Sequence, residues 1–391
     1  MIYKLKDICI KVTDGSHFSP KAQEEGYPMF SVKDMLEYGF NYTSCKRISK
    51  QDFEKMQSSG CVPQEGDVLV AKDGSYLKEI FVCTETKNEA ILSSIAIFRP
   101  NQEIVNPYYL CYLLKSPQIY NYIASNCVSG SALPRIVLKD FKEVEMQVPD
   151  MSTQTKIVNI LKNIDGKIQN NYKINRNLSE QASAYYENWK MSLTGEAVEL
   201  SKVIDVRDGT HASPKPQDEG YPLVTSKHLF EYDVDLESPN KISQDDYDKT
   251  NERSKVEYHD VLMSMIGTVG VVSFISRQEI NFAIKNVALF RTSQREELAY
   301  YVLLFLKSKD TKQYIKSCMA GSTQQYISLT ELRKIPIIVP GEEIKEFNLV
   351  IKPIIDMICA NVIENRRLSE LRDTLLPKLM SGELDVSNLD I

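Results

Sequence analysis

The sequence predicts an α+β chain. Two mixed α/β domains lie in tandem, each followed by a long helix. The two helices are expected to pack as an antiparallel coiled coil, with pseudo-two-fold symmetry. Three observations carry this prediction. The first is a long internal repeat. Asp14-Gly-Ser-His-Phe-Ser-Pro20 returns as Asp208-Gly-Thr-His-Ala-Ser-Pro214, and 12 of 20 positions are identical between 14–33 and 208–227. The second is that each copy opens with short apolar runs separated by turns. The third is that each copy closes on a long segment with apolar residues every three or four positions.

The repeat is collinear to its end. Ile48-Ser49 pairs with Ile242-Ser243, Gly66-Asp67-Val68-Leu69 with His259-Asp260-Val261-Leu262, and Ala96-Ile97-Phe98-Arg99 with Ala288-Leu289-Phe290-Arg291. Gly130-Ser131 pairs with Gly321-Ser322, and Asn175-Arg-Asn-Leu-Ser-Glu180 with Asn365-Arg-Arg-Leu-Ser-Glu370. The offset drifts from 194 to 190, so loops change length while the order of elements is kept. This gives domains over 1–150 and 196–340, and helical segments over 151–195 and 341–391.

Within the domains, 67–71, 90–98 and 261–265 read as strands, and 106–123 and 297–315 as helices. Ser152-Thr153 is a plausible N-cap for the first long helix. Its stripe is Ile157, Ile160, Leu161, Ile164, Ile168, Leu178 and Tyr185. The second runs from Ile344 through Phe347, Ile351, Ile354, Ile358 and Leu368 to Leu375, with Pro353 able to kink its first turns. A stripe this narrow needs a partner, and the other copy's stripe supplies one. Ile164, Ile168, Leu178, Ile354, Ile358 and Leu368 are assigned to that seam. Asn171 and Asn361 fall at equivalent places within it, either fixing register or facing solvent on a frayed flank.

Composition is that of an ordinary globular chain, with 42% hydrophobic and 26% charged residues. No signal-peptide pattern or membrane-spanning apolar run is found, so a cytoplasmic protein without membrane contact is expected. The eight cysteines form no CxxC pair, so reduced structural thiols are expected and no metal site. The net charge of −6 argues by itself against a nucleic-acid partner. That argument weakens once the charge is located. Residues 1–196 carry 23 basic and 23 acidic side chains, while 231–260 carry ten acids against four bases.

Catalytic and cofactor motifs are absent: no GxxxxGK[ST], GxGxxG or GxSxG, no aromatic Pro-Pro run of the amino-methyltransferase type, and no nuclease carboxylate cluster. Gly267-Thr-Val-Gly270 is too short to signal a cofactor. The one enzyme-like element is Asp14-Gly15-Ser16-His17, repeated as Asp208-Gly209-Thr210-His211. It admits a hydrolase or a tight Asp-Gly turn that fixes a loop, and triads are normally assembled from distant segments. His228 and His259 lack repeat partners and read as ordinary surface or satisfied histidines.

These residues carry a family resemblance over the whole length. The chain resembles the DNA-specificity (S) subunit of type I restriction–modification systems. The opening Asp208-Gly-Thr-His-Ala-Ser-Pro214 with Gly220-Tyr-Pro222 is similar to the start of many target recognition domains. Arg366-Arg-Leu-Ser-Glu-Leu-Arg-Asp-Thr-Leu-Leu-Pro-Lys-Leu-Met-Ser-Gly-Glu383 is similar to the family's distal conserved helix. Trp189-Lys-Met-Ser-Leu-Thr-Gly-Glu196 keeps a worn version of that tail. The resemblance implies a non-catalytic adaptor in bacterial defence. Each recognition domain reads one half of an asymmetric, split double-stranded DNA target. Methyltransferase (M) subunits dock on the spacer helices, and restriction/translocase (R) subunits complete the complex. No cofactor belongs to this chain. A stand-alone duplicated DNA-binding scaffold is the alternative.

Under that resemblance, candidate DNA contacts are hydrogen-bonding side chains in the polar loops. In the first copy they are Ser19, Lys21, Lys33, Lys72, Ser75, Tyr76, Ser129, Ser131 and Arg135. In the second they are Ser213, Lys215, Lys227, Lys285, Ser322, Thr323, Gln324, Gln325 and Tyr326. Any single lysine here also reads as a solvated surface charge. The Gly130 and Gly321 loops are the stronger candidates. Trp189, Leu375, Leu376 and Leu379 are candidate apolar patches for partner docking.

Overall fold

A computed structural model describes the chain except residues 75, 131–133, 322–323, 388 and 390–391. It divides into two compact units, one of Met1–Lys167 with Leu368–Ile391 and one of Ile168–Arg367.

In the first unit, strands β1 (Cys9–Asp14), β2 (Val68–Ala71), β3 (Ile80–Val82) and β4 (Ile95–Pro100) form an antiparallel sheet in the order β1-β4-β2-β3. Successive side chains alternate between faces. Val68, Val70, Ala96 and Phe98 enter one core, and Leu69, Ala71, Ile95 and Ile97 the other. Burial on both faces explains why these strands read as unbroken apolar runs. The second unit repeats the sheet as β5 (Val206–Asp208), β6 (Val261–Ser264), β7 (Val272–Phe274) and β8 (Val287–Phe290), in the order β5-β8-β6-β7.

Each unit adds a three-stranded sheet. Tyr27–Phe30 lies between Lys46–Ile48 (antiparallel) and Ala90–Ile91 (parallel), as Tyr221–Val224 lies between Lys241–Ile242 and Ala283–Ile284. The expected strand over 90–98 is therefore two strands in different sheets, parted by a turn after Ile91. The expected helix over 106–123 is also two, Pro107–Lys115 and Pro117–Asn126. Ser116 is extended (φ −63°, ψ 139°), as the residue before a proline prefers. Its counterpart Ser308 breaks 297–315 into Ala299–Lys307 and Lys309–Cys318 and caps the second helix through Thr311 N–H.

The long helices α1 (Met151–Trp189) and α2 (Ile344–Ser381) are continuous, and α2 runs through Pro353 and Pro377. In each unit a segment of one lies antiparallel to a segment of the other. In the second unit Ile168 and Ile358 are buried, and Leu178 and Ile354 pack at the edge of the core. In the first unit Ile164 and Leu368 are half-buried.

The second unit's helix pair is crossed by four asparagines with a two-fold pattern of bonds. Asn171 Nδ2 donates to Asn365 Oδ1 (2.8 Å), and Asn361 Nδ2 donates to Asn175 Oδ1 (2.7 Å). Asn175 and Asn365 then donate to the backbone oxygens of Ile358 and Ile168, both at 3.3 Å. Any shift of one helix along the other breaks these bonds together, so the quartet fixes register. Asn365→Leu leaves buried Asn171 short of a partner and is expected to cost about 1–3 kcal/mol in chemical unfolding. A neutral result would remove the quartet from the stability of this unit.

Two expected docking residues, Leu376 and Leu379, are corrected, while Trp189 and Leu375 are half-buried. Leu376 and Leu379 are buried in the first unit's own core beside Ile157, Leu161 and Val386. Trp189 packs on Phe347 (ring centroids 4.3 Å apart) and Tyr301 (5.6 Å) within the second unit. Leu375 is partly buried against the first core. An apolar stripe shows that a side chain will be covered, and here the cover is the unit itself.

Candidate nucleic-acid interface

In the second unit, four loops converge beside the edge of the sheets and enclose a cleft of about 410 Å³. It is lined by Thr225, Ser226, Lys227, Ile266, Gly267, Thr268, Asn286 and Gln324. The loop after β6 pairs with the segment behind Gly321: Gly267 N–H donates to Gln325 O, and Ile327 N–H to Met265 O. Gly321 has φ +94°, and a Cβ there would meet Gln324 O at 2.2 Å, so this turn demands glycine.

Two sequence candidates, Lys227 and Gln324, meet in this cleft. Gln325 and Tyr326 are exposed beside it, and Tyr326 bridges Ile266 and Ala320. Lys285 is half-buried and donates to Ser213 Oγ (2.6 Å), while Lys215 is exposed elsewhere on its loop. Ser322 and Thr323 lie outside the described residues. Asn286 is one of the cleft residues, with Thr225, Ser226 and Thr268, that the sequence reading missed. Its one signal is an Asn between two buried strands, and its φ of +53° is a conformation asparagine tolerates.

The first unit repeats the scaffold with other side chains. The loop after β2 pairs with the segment behind Gly130 through Gly74 N–H to Pro134 O and Ile136 N–H to Lys72 O. The bridge Asp73↔Arg135 answers Ile266↔Tyr326, and Ser16↔Leu92 answers Thr210↔Lys285. Lys33, Arg135, Ser129, Ser19 and Lys21 are exposed. Ser75 and Ser131 lie outside the described residues. Tyr76 is half-buried and stacks on Tyr120.

Lys72 is corrected as an exposed candidate for DNA contact. It is buried, with its ammonium 3.2 Å from Asp14 Oδ2 and 3.6 Å from Asp73 Oδ1. That partner is 58 residues away in sequence, which is why the sequence reading could not see it.

The Asp-Gly-Ser/Thr-His element is not a tight turn. Gly15 continues from β1, and a Cβ on it would lie 2.5 Å from Ile91 O; on Gly209 it would lie 2.2 Å from Ile284 O. The glycine is needed for close backbone approach between strands. The hydroxyls are engaged locally: Ser16 Oγ donates to Phe18 O (3.0 Å), and Thr210 Oγ1 accepts from Ala212 N–H (3.1 Å). His17 Nε2 is 3.8 Å from Asp14. No serine-histidine pair is formed by this element.

Beside the cleft, buried His228 closes the turn that carries Lys227. Its Nδ1 accepts from Thr225 N–H (2.9 Å), the place that Asp34 takes in the first unit toward Ser31. Burial first, then the charge of Lys227, holds its pKa below the ordinary 6.5. The unfolded chain therefore binds this proton more readily, and stability falls as pH drops below that value. Burial of His259 acts in the same direction. His228→Asp, which copies Asp34, is expected to flatten part of the acid-side loss in thermal unfolding between about pH 5 and 7. An unchanged slope would contradict this.

Burial pushes the Cys9 and Cys359 thiols up to about 12, so these cysteines are unreactive packing residues. Among the described residues no helix is long and apolar enough to cross a membrane, and no group of three or more His, Cys, Asp or Glu could hold a metal ion.

Comparison with known proteins agrees with this architecture. The MjaIX specificity subunit of a type I restriction enzyme from Methanocaldococcus jannaschii is 26% identical over 424 residues, covering 99% of this chain and 94% of that protein. The HindI specificity subunit from Haemophilus influenzae is 25% identical over 410 residues, covering 82% and 87%. The crystal structure of a type I restriction–modification S subunit from M. genitalium shares the fold with a TM-score of 0.55 at 16% identity, covering 97% of this chain and 95% of that one. The family described as the type I restriction modification DNA specificity domain matches residues 1–180 and again 194–371. With both copies matched and their four-stranded sheets in the same strand order, the chain belongs to the type I restriction–modification DNA specificity family.

Proposed function

We propose that this chain is the sequence-reading subunit of a type I restriction–modification complex. Each unit reads one half of an asymmetric bipartite DNA target, and the chain scaffolds methyltransferase subunits. It contributes no catalytic group: methyl transfer and cleavage belong to the methyltransferase and restriction/translocase partners.

One observation carries this reading. The two units keep the same loop scaffold and change the side chains it presents. Lys33 and Lys227 are the same, but Leu92 is answered by Lys285, Asp73 by Ile266 and Arg135 by Tyr326. Conserved geometry with divergent hydrogen-bonding groups suits two different half-sites, since base edges are told apart by donor and acceptor pattern. The acidic total is compatible, because phosphate contacts can be shared with partners. The isolated chain is expected to bind DNA weakly, with affinity falling steeply as salt rises.

Methylation sequencing of a host carrying this chain and its partners tests the proposal. An asymmetric target with an unread gap is expected. Exchange of residues 1–150 with those of a relative should alter one half-site only. Sequence-independent methylation, or change in both half-sites, would refute it.

A further inference from the structure

Asn286 is held from three sides. Its backbone N–H donates to Thr210 O (3.2 Å), and its carbonyl accepts from Ser226 Oγ (3.4 Å). Its side-chain Oδ1 is 2.7 Å from His211 Nδ1. The other ring nitrogen, Nε2, is 2.9 Å from Oδ2 of the buried Asp208, whose second oxygen holds Arg253. The carboxylate and the amide oxygen both only accept, so in this arrangement both ring nitrogens carry a hydrogen and donate, Nε2 to Asp208 and Nδ1 to Asn286. With Oδ1 committed to the imidazole, the amide has its Nδ2 hydrogens left for the cleft that Asn286 lines with Lys227, Thr268 and Gln324.

We propose that Asn286 is a base-reading residue of the second unit, offering donors to an acceptor-bearing base edge, and that His211 is the positioning residue that decides which end of its amide faces the cleft. This rests on the DNA-reading function proposed above. The matching edges in the major groove are guanine O6 and N7, thymine O4 and adenine N7. The charged groups around the pair are Asp208 and Arg253 behind the ring, Lys285 next in sequence, and Lys227 across the cleft. The first unit lacks the device: Ser93 stands where Asn286 does, and His17 is 3.8 Å from Asp14. The effect is therefore confined to one half-site.

The test uses the full chain reconstituted with its methyltransferase partners, scoring methylation rates across a library of half-site variants. Asn286→Asp replaces donors by acceptors. It should move preference at one base pair by about tenfold or more toward bases presenting an exocyclic amine. Asn286→Gly accepts the positive φ and should abolish discrimination at that base pair. His211→Ala frees the amide and should broaden preference at the same base pair only, whereas loss of a phosphate contact would slow all targets alike. Uniform slowing by every variant, or unchanged preference, would overturn the inference. If the wild-type complex itself shows no sequence preference, the proposed function fails. If it is selective and the variants keep its preference, only the role of Asn286 fails.

Discussion

Asp67→Ala is expected to destabilise the first unit by about 3–5 kcal/mol, the cost of stripping the half-buried Arg99 of its fully buried carboxylate partner. Asp67 is fully buried at the start of β2. Arg99 grips it with a two-pronged contact, Nε to Oδ1 and Nη2 to Oδ2, both 2.8 Å. Its Oδ2 also accepts from Gln64 N–H at 2.8 Å, closing the turn into the strand. Alanine would leave a guanidinium facing a buried gap and an unpaired backbone N–H. A urea titration followed by circular dichroism would measure it, and a loss below about 1 kcal/mol would place the pair among weak surface contacts. The repeat partner Asp260 is equally buried but is held by the backbone N–H groups of Glu257 and Ser293. The same substitution there strands no cation and should cost less.

Asp165→Ala is expected to have an effect of similar size, again about 3–5 kcal/mol. This α1 carboxylate receives Tyr112 OH (2.6 Å), Tyr38 OH (3.0 Å) and Arg372 Nη1 (3.0 Å). Arg372, on α2, also reaches Glu37 at 2.7 Å. Burial and then the Asp165 charge raise both phenols above their ordinary range, so they remain donors. The cluster ties a domain loop to both helix segments of the first unit. Hydrogen exchange should therefore quicken at residues 36–40 as well as in the helices. Exchange confined to α1 would show that Asp165 supports its own helix alone.

The architecture was legible because duplication supplies a second measurement of every element. Ile48-Ser49 and Ile242-Ser243 were legible as a repeated pair, and in the structure each serine caps a helix, Lys50–Ser58 and Gln244–Ser254. The failures have separate causes. Ser116-Pro117 was a readable helix break, overridden by the Tyr- and Leu-rich pattern on either side. The turn after Ile91 is short and sits within an apolar run, so nothing in its composition separates two strands. Leu376 and Leu379 were correctly apolar, but periodicity does not name the surface that covers them. Of the site, the glycine loops and Lys227 with Gln324 were readable as polar loop residues. Asn286 was not, because its importance lies in Thr210, His211 and Ser226, which only folding brings to it.

The division of the chain has a consequence for its birth. Ile168–Arg367 is one uninterrupted stretch, whereas the first unit joins two stretches on either side of it, Met1–Lys167 and Leu368–Ile391. Its core needs Leu376, Leu379 and Val386, and its buried cluster needs Arg372. Translation delivers these only after the whole second unit. The unit whose residues leave the ribosome first must therefore wait, incomplete, while the later one can close as soon as its own segment is free. A stop soon after residue 367 would spare the second unit and leave the first, though almost fully made, unfinished.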